Sequence, residues 1–178
     1  MNDQFLKIIK SRRVSRSMTE QPVEREKIEK ILDAGRWTPA AGNQRTTRFL
    51  VIENPSTLHL VRQFSPGMFQ EPQAIILLCI NWQVVEDNQF AEGDKSPYID
   101  LGVVMQTMLL AAHAQGLGSG PTTSFSKEAL RELLDIPEHI TPEIEISLGY
   151  NAPKKSQLPM INKKRTTWRD LTYWEKFD

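Results

Sequence analysis

The stretch Pro97-Tyr98-Ile99-Asp100-Leu101-Gly102-Val103-Val104-Met105-Gln106-Thr107-Met108-Leu109-Leu110-Ala111-Ala112-His113-Ala114-Gln115 decides the fold. Its apolar residues run almost all the way round a 3.6-residue period. The pattern predicts a long helix at the buried centre of the molecule rather than an amphipathic helix on its surface. Two placements stay open, the core of a monomer or an interface between two copies. Gly116-Leu117-Gly118-Ser119-Gly120-Pro121 ends the helix; Gly116 reads as its C-cap and the rest as a tight turn.

Around this helix the periodicity alternates between strand and helix without strict βαβ order. Ala74 to Cys79, after Pro72, is a continuous apolar run, as expected of a strand covered on both faces. Phe49-Leu50-Val51-Ile52 reads as a short strand, and Asn54-Pro55-Ser56 as a turn and the N-cap of a helix reaching about Phe64. Glu143-Ile144-Glu145-Ile146-Ser147-Leu148 alternates and predicts a half-exposed strand near a sheet edge. Lys127 to Leu134 forms a short helix after Ser124 or Ser126. Upstream, Phe5, Leu6, Ile8 and Ile9 give a first helix one apolar side, and Val23, Ile28, Ile31, Leu32 and Trp37 give a second, closed by Gly35 and Pro39. Gln83 to Ser96 reads as a connection, and Asn151 to Arg165 as an extended polar arm. An α+β fold with a sheet of about four strands is expected.

The chain has 178 residues, 39% hydrophobic and 25% charged, which suits one domain and argues against disordered or fibrous classes. One cysteine, Cys79, excludes an internal disulfide framework and a multi-thiolate zinc site, so a reducing cytoplasm is expected. The opening residues lack the pattern of a signal peptide, and no apolar run is long enough to span a bilayer. Net charge is zero, but residues 1–50 hold 11 basic against 6 acidic side chains, residues 51–150 hold 4 against 13, and residues 151–178 hold 7 against 3. The two ends are basic and the middle acidic, a distribution that disfavours nucleic acid as a partner.

Ser11-Arg12-Arg13-Val14-Ser15-Arg16-Ser17 packs three guanidiniums and three hydroxyls into seven residues at a helix end. Two readings stand beside each other: a phosphate site, since the guanidinium fork matches phosphate oxygens, or a solvated turn that complements the helix dipole. Gly116 to Pro121 is no dinucleotide loop, because it follows a helix instead of opening one. His59, His113 and His139 form no pair at metal-ligand spacing, so no metal is expected. Cys79, inside an apolar run, reads as an inert small hydrophobe. Without an evident nucleophile or acid/base pair, the chain either binds without reacting or takes its chemistry from an organic cofactor.

In order and spacing, Ser11 to Arg16, Thr38-Pro39-Ala40-Ala41-Gly42-Asn43 before Arg48-Phe49-Leu50-Val51, the central helix into Gly116-Leu117-Gly118-Ser119, and Lys163-Lys164-Arg165 with Tyr173-Trp174-Glu175-Lys176-Phe177 resemble the FMN-dependent nitroreductase family. The resemblance implies a mixed or antiparallel sheet flanked by helices, and a homodimer with the long helix in its interface and FMN between subunits. It also implies that 151–178 is an arm completing the phosphate site of a single domain. Arg12, Arg13, Val14 and Arg16 would hold FMN with Lys163 and Arg165. Pro39, Ala40, Ala41 and Asn43 would come from the partner subunit, and Pro121, Thr122, Thr123 and Ser124 would line the ring. No side chain is catalytic in this picture: flavin N5 passes hydride from NAD(P)H to a nitroaromatic, quinone or similar small acceptor. A flavin-binding or flavin-delivering protein with little turnover is the alternative. The chain departs from the family at Ala40-Ala41, where Ser is usual, at Arg45-Thr46-Thr47 in place of Gln-Pro-Trp, at Thr123 in place of an acid, and in its short middle connection. The first two departures imply lost hydroxyl contacts to the isoalloxazine, and the last two a more open pocket and a different substrate.

Overall fold

A computed structural model describes residues 3–153 and 166–177. Four strands, β1 (Thr47–Ile52), β2 (Ala74–Asn81), β3 (Gly118–Thr122) and β4 (Ile140–Gly149), form one sheet in the order β1-β2-β4-β3, every neighbouring pair antiparallel. Six α-helices among the described residues accompany it: α1 (Asp3–Ser11), α2 (Arg25–Arg36), α3 (Pro55–Gln63), α4 (Trp82–Asp87), α5 (Ser96–Ala114) and α6 (Lys127–Leu133). The expected α+β architecture is the one observed.

The sheet separates two apolar layers. Ile76, Leu78, Ile146 and Leu148 point to one face, where Ile28 and Ile31 of α2 and Leu101, Val104 and Met108 of α5 cover them. Ile75, Leu77 and Cys79 point to the other, under Leu58 and Val61 of α3 and Leu130 of α6. All eight residues of β2 are buried, as a continuous apolar run covered on both faces should be. Each fully buried Ile or Leu contributes about 1.5–3 kcal/mol, so β2 anchors both layers. α2 can approach α5 closely because position 35 is Gly: a methyl there would overlap Met108 Cε.

The sequence expectations need four corrections. Gly118 to Thr122 is a strand, not a turn; only Gly116 terminates α5, with φ +79°. Gly116 N–H donates to His113 O and Leu117 N–H to Ala112 O, the paired closing bonds of a Schellman cap. β4 is an interior strand between β2 and β3, so Glu145 and Ser147 are fully buried rather than wet. The 83–96 connection opens with α4, capped where the Asn81 side chain accepts from Val84 N–H and braced where Trp82 Nε1 donates to Thr141 Oγ1. Finally, α5 is buried on one side only; Tyr98, Ile99 and Val103 are exposed, Ile99 at 64%. No helix among the described residues is long and apolar enough to cross a membrane.

Candidate functional site

The arginine loop is stitched to the sheet edge. Ser15 N–H donates to Ser119 O at 2.9 Å, Thr19 N–H to Tyr150 O at 2.8 Å and Ala152 N–H to Ser17 O at 3.1 Å, so residues 14–19 run between the free edge of β3 and the chain leaving β4. Two glycines of β3 permit this approach. A methyl at Gly118 would overlap Asn151 Oδ1 and lie 2.9 Å from Ser15 Oγ, and one at Gly120 would lie 2.9 Å from Gln70 Nε2. The Gly-x-Gly spacing therefore serves strand-to-loop packing.

A cleft of about 550 Å³ opens beside this junction, lined among others by Arg13, Arg16, Ser17, His113, Ser119 and Asn151. Ser11 Oγ and His113 Nε2, 2.8 Å apart, tie the end of α1 to the end of α5 at its rim. The three arginines are used differently. Arg13 Nη1 donates to Lys10 O and Arg12 O, both at 2.7 Å, so one of its nitrogens satisfies carbonyls at the α1 C-terminus, as the solvated-turn reading expected. Arg12 is half-buried, and its Nη1 is a buried donor with no partner among the described residues. Arg16 is exposed at the cleft and likewise has no anionic partner among the described residues. Arg12 itself does not line the cleft.

Pro39 to Asn43 lies elsewhere in the chain. Ala41 to Asn43 makes one 3-10 turn, with Gly42 and Asn43 at φ +55° and +58°. Ala41 N–H donates to the buried Asp100 carboxylate at 3.0 Å, while Arg45 donates to Thr38 O at 2.6 Å and Asn43 Oδ1 at 3.1 Å. Arg45, a departure from the family pattern, thus braces this segment. A 320 Å³ pocket beside it, lined by Thr38, Pro39, Ala40, Arg45 and Asp100 among others, shares no lining residue with the arginine cleft.

Pro121 and Thr122 end β3, and Thr123 and Ser124 follow as exposed residues; the four continue the strand that passes the cleft without lining it. Val14 is exposed at the cleft. Lys163 and Arg165 lie outside the described residues. Sequence reading missed His113, Asp100 and Asn151. Asp100 carried a signal, as the only acid in an otherwise apolar helix; His113 and Asn151 carried none, because their roles arise from contacts far along the chain, His113 with Ser11 102 positions away and Asn151 with Gly118 and Met18.

The sheet order, the long apolar helix on one face and the arginine loop at the edge define a nitroreductase-type α+β fold. A nitroreductase family protein of Clostridium difficile 630 superposes with a TM-score of 0.84 at 25% identity, covering 99% of this chain and all of that one. The nitroreductase family model matches residues 9–76 and 61–150. A Methanothermobacter thermautotrophicus protein named "Putative NADH dehydrogenase/NAD(P)H nitroreductase" is 33% identical over 166 residues, 90% of this chain and 84% of its own length. The FMN reductase [NAD(P)H] of Bacillus subtilis is 21% identical over 89% of this chain and 70% of its own. The chain belongs to the nitroreductase family.

Proposed function

We propose that the chain is an FMN-dependent NAD(P)H oxidoreductase that reduces a small electron-poor acceptor, such as a nitroaromatic or quinone, as a homodimer with FMN between its subunits. The observation that carries this reading is the pair Arg12 and Arg16: two guanidiniums without an anionic partner among the described residues, flanking a loop held rigidly on β3. A buried guanidinium donor left unpaired is costly, and a phosphate dianion is the complement of such a site. The free N–H groups of Arg13 and the hydroxyl of Ser17 add donors of the same kind.

FMN, when bound, supplies hydride acceptance and donation at its N5. The chain's own residues bind and orient. Arg12, Arg13 and Arg16, with Val14 between them, would hold the phosphate end, joined by Lys163 and Arg165 from the 151–178 arm. Pro121, Thr122, Thr123 and Ser124 would present strand-end backbone to the ring, where fixed N–H donors stabilise negative charge. Pro39, Ala40, Ala41 and Asn43 would reach the site from a partner subunit, which agrees with their separation from the arginine cleft within one chain. The exposed Tyr98, Ile99 and Val103 of α5 supply an apolar face for that pairing. Among the described residues no carboxylic acid lines the arginine cleft, and protons for the product would come from water.

The test is the visible absorption spectrum of the purified protein before and after NADH or NADPH. A yellow chromophore that bleaches is expected; a colourless protein that takes up no FMN on reconstitution overturns the reading. Sustained oxidation of NADH or NADPH with a quinone or nitroarene separates an enzyme from a flavin-delivering protein, which would keep FMN and show no steady rate.

A further inference from the structure

Glu145 is fully buried at the centre of β4, opposite Leu77 of β2 and Thr122 of β3. Residues directly opposite share a sheet face, so its side chain stands beside that of Thr122. Ser65 Oγ lies 2.7 Å from Glu145 Oε1 and 2.8 Å from Val61 O. A serine hydroxyl has one hydrogen. If that hydrogen goes to the Val61 carbonyl, the contact with Glu145 is a hydrogen bond only when the carboxyl carries a proton and donates it to Ser65 Oγ. A carboxylate satisfies one of the two contacts; the neutral acid satisfies both.

The surroundings agree. Glu145 Oε2 is buried without a partner, which a neutral carboxyl tolerates better than an anion. On the elements packed here, Arg62 of α3 is held by Glu71 at 3.2 Å, Lys127 of α6 by Glu143 at 2.6 Å, and Cys79 of β2 is a thiol. Arg131 of α6 donates to Ile140 O at 3.2 Å, and none of these groups, among the described residues, supplies Glu145 with a counter-charge. Burial pushes its carboxyl up from 4.5 to about 7; the opposing pull of Ser65 operates only when its hydroxyl donates to the carboxylate instead of to Val61 O.

The turn that begins at Ser65 grips the end of β3. Gln70 Nε2 donates to Ser147 Oγ, which donates to Gly120 O at 3.0 Å. Gly67 N–H donates to Ser124 O at 3.1 Å, and the turn is so close that a methyl at Gly67 would stand 2.9 Å from Ser124 Cβ and 3.0 Å from Thr122 Cγ2. We propose that Glu145, as a neutral acid donating to Ser65, is a positioning residue that fixes the Pro121–Ser124 backbone through the 65–70 turn. Loss of its proton releases that segment. This rests on the flavin reading for its consequence in binding, not for the seam itself.

Two measurements test it. In the protein without FMN, hydrogen exchange of the 118–126 backbone, corrected for the intrinsic pH dependence, is expected to accelerate between pH 6 and 8.5 in wild type and to stay flat in Glu145→Gln, whose amide keeps the shape and a donor. In an FMN titration by fluorescence quenching, affinity of wild type is expected to fall about fivefold or more over the same range, the lower end of ordinary coupling between sites, while Glu145→Gln holds the acid value. Ser65→Ala removes the acceptor through which Glu145 holds the turn, so 118–126 exchange in it should be fast and flat across this range, and it serves if Glu145→Gln does not fold. Wild-type exchange that is flat across this range, or a pH transition that persists in Ser65→Ala, overturns the proposal. A protein that binds no FMN but shows the exchange transition overturns the flavin reading and leaves the seam standing.

Discussion

Gly118→Ala tests the junction on which the site is built, because three segments meet at that Cα. The new methyl would overlap Asn151 Oδ1 and stand 2.9 Å from both Asn151 Cγ and Ser15 Oγ. The amide of Asn151 can swing away at little cost. Ser15 cannot, since it is buried, its Oγ donates to Ser17 O at 3.2 Å and its N–H donates to Ser119 O at 2.9 Å. The displacement therefore falls on the arginine loop. Overpacking of this kind costs about 1–3 kcal/mol, and replacing Gly by Ala returns about 0.4–1 kcal/mol by restricting the unfolded chain. The net loss centres on about 1.3 kcal/mol, which for a domain of this size lowers Tm by roughly 3–5 °C. Thermal unfolding followed by circular dichroism measures it. Because Arg16 sits one residue beyond Ser15, the same variant should also bind FMN more weakly in a fluorescence titration. A variant with unchanged Tm and unchanged FMN affinity would refute the claim that Gly118 is there to let the loop, the strand and Asn151 close together.

Other outcomes follow from the same geometry. Arg12→Met should weaken FMN binding by about ten- to a hundredfold, the equivalent of about 1.5–3 kcal/mol for a lost charge-assisted bond. It should not lower the Tm of the FMN-free protein, because the guanidinium it removes is a buried donor without a partner; a large drop in Tm would make Arg12 structural. Glu145 holds its proton more tightly folded, at about 7, than unfolded, near 4.5. Its stabilising effect is thus complete at acid pH and is lost as pH rises through about 7, by about 3 kcal/mol in all; urea midpoints at pH 5 and pH 8 read this slope, which Glu145→Gln should abolish. Cys79, buried in β2 and pushed up to about 12 chiefly by burial, should resist a thiol reagent at pH 8 until urea unfolds the chain; native-state labelling at the unfolded rate contradicts this. Ile76→Ala in the middle of β2 should cost about 2–5 kcal/mol in denaturant unfolding, as a cavity in a fully covered strand does.

Most elements were legible because one physical signal dominated each. Eight consecutive buried residues make β2 readable as an apolar run, Asn54 before Pro55 marks the start of α3, and Gly116 in the left-handed region marks the end of α5. α4 was not legible: six residues with no buried face offer no periodicity, and its existence depends on the Asn81 cap and on Trp82 reaching Thr141. β3 was hidden for a different reason. Gly-Ser-Gly-Pro-Thr has almost no strand propensity, and it is a strand because β4 pairs with it and because small residues there admit the arginine loop. At the candidate site the same division holds. The arginine cluster is visible by composition, but which guanidinium is spent on helix carbonyls and which is left without a partner follows only from where α1 ends.

β4 shows why the alternating pattern misled. Alternation implies that the two faces of a strand differ; that one of them is wet is a further assumption, valid when the strand lies at the surface of a one-sided sheet. Here the strand is interior and both faces are covered, so each polar residue had to find a protein partner: Glu143 takes Lys127, Glu145 takes Ser65 and Ser147 takes Gln70. Those partners lie 16, 80 and 77 residues away. No local window contains them. A buried polar stripe is rarer than a solvated one because each unmade bond costs about 1–3 kcal/mol. Its retention in the middle of a sheet is therefore informative about what lies alongside, and what lies alongside Glu145 is Thr122, at the end of the strand that leads past the arginine cleft.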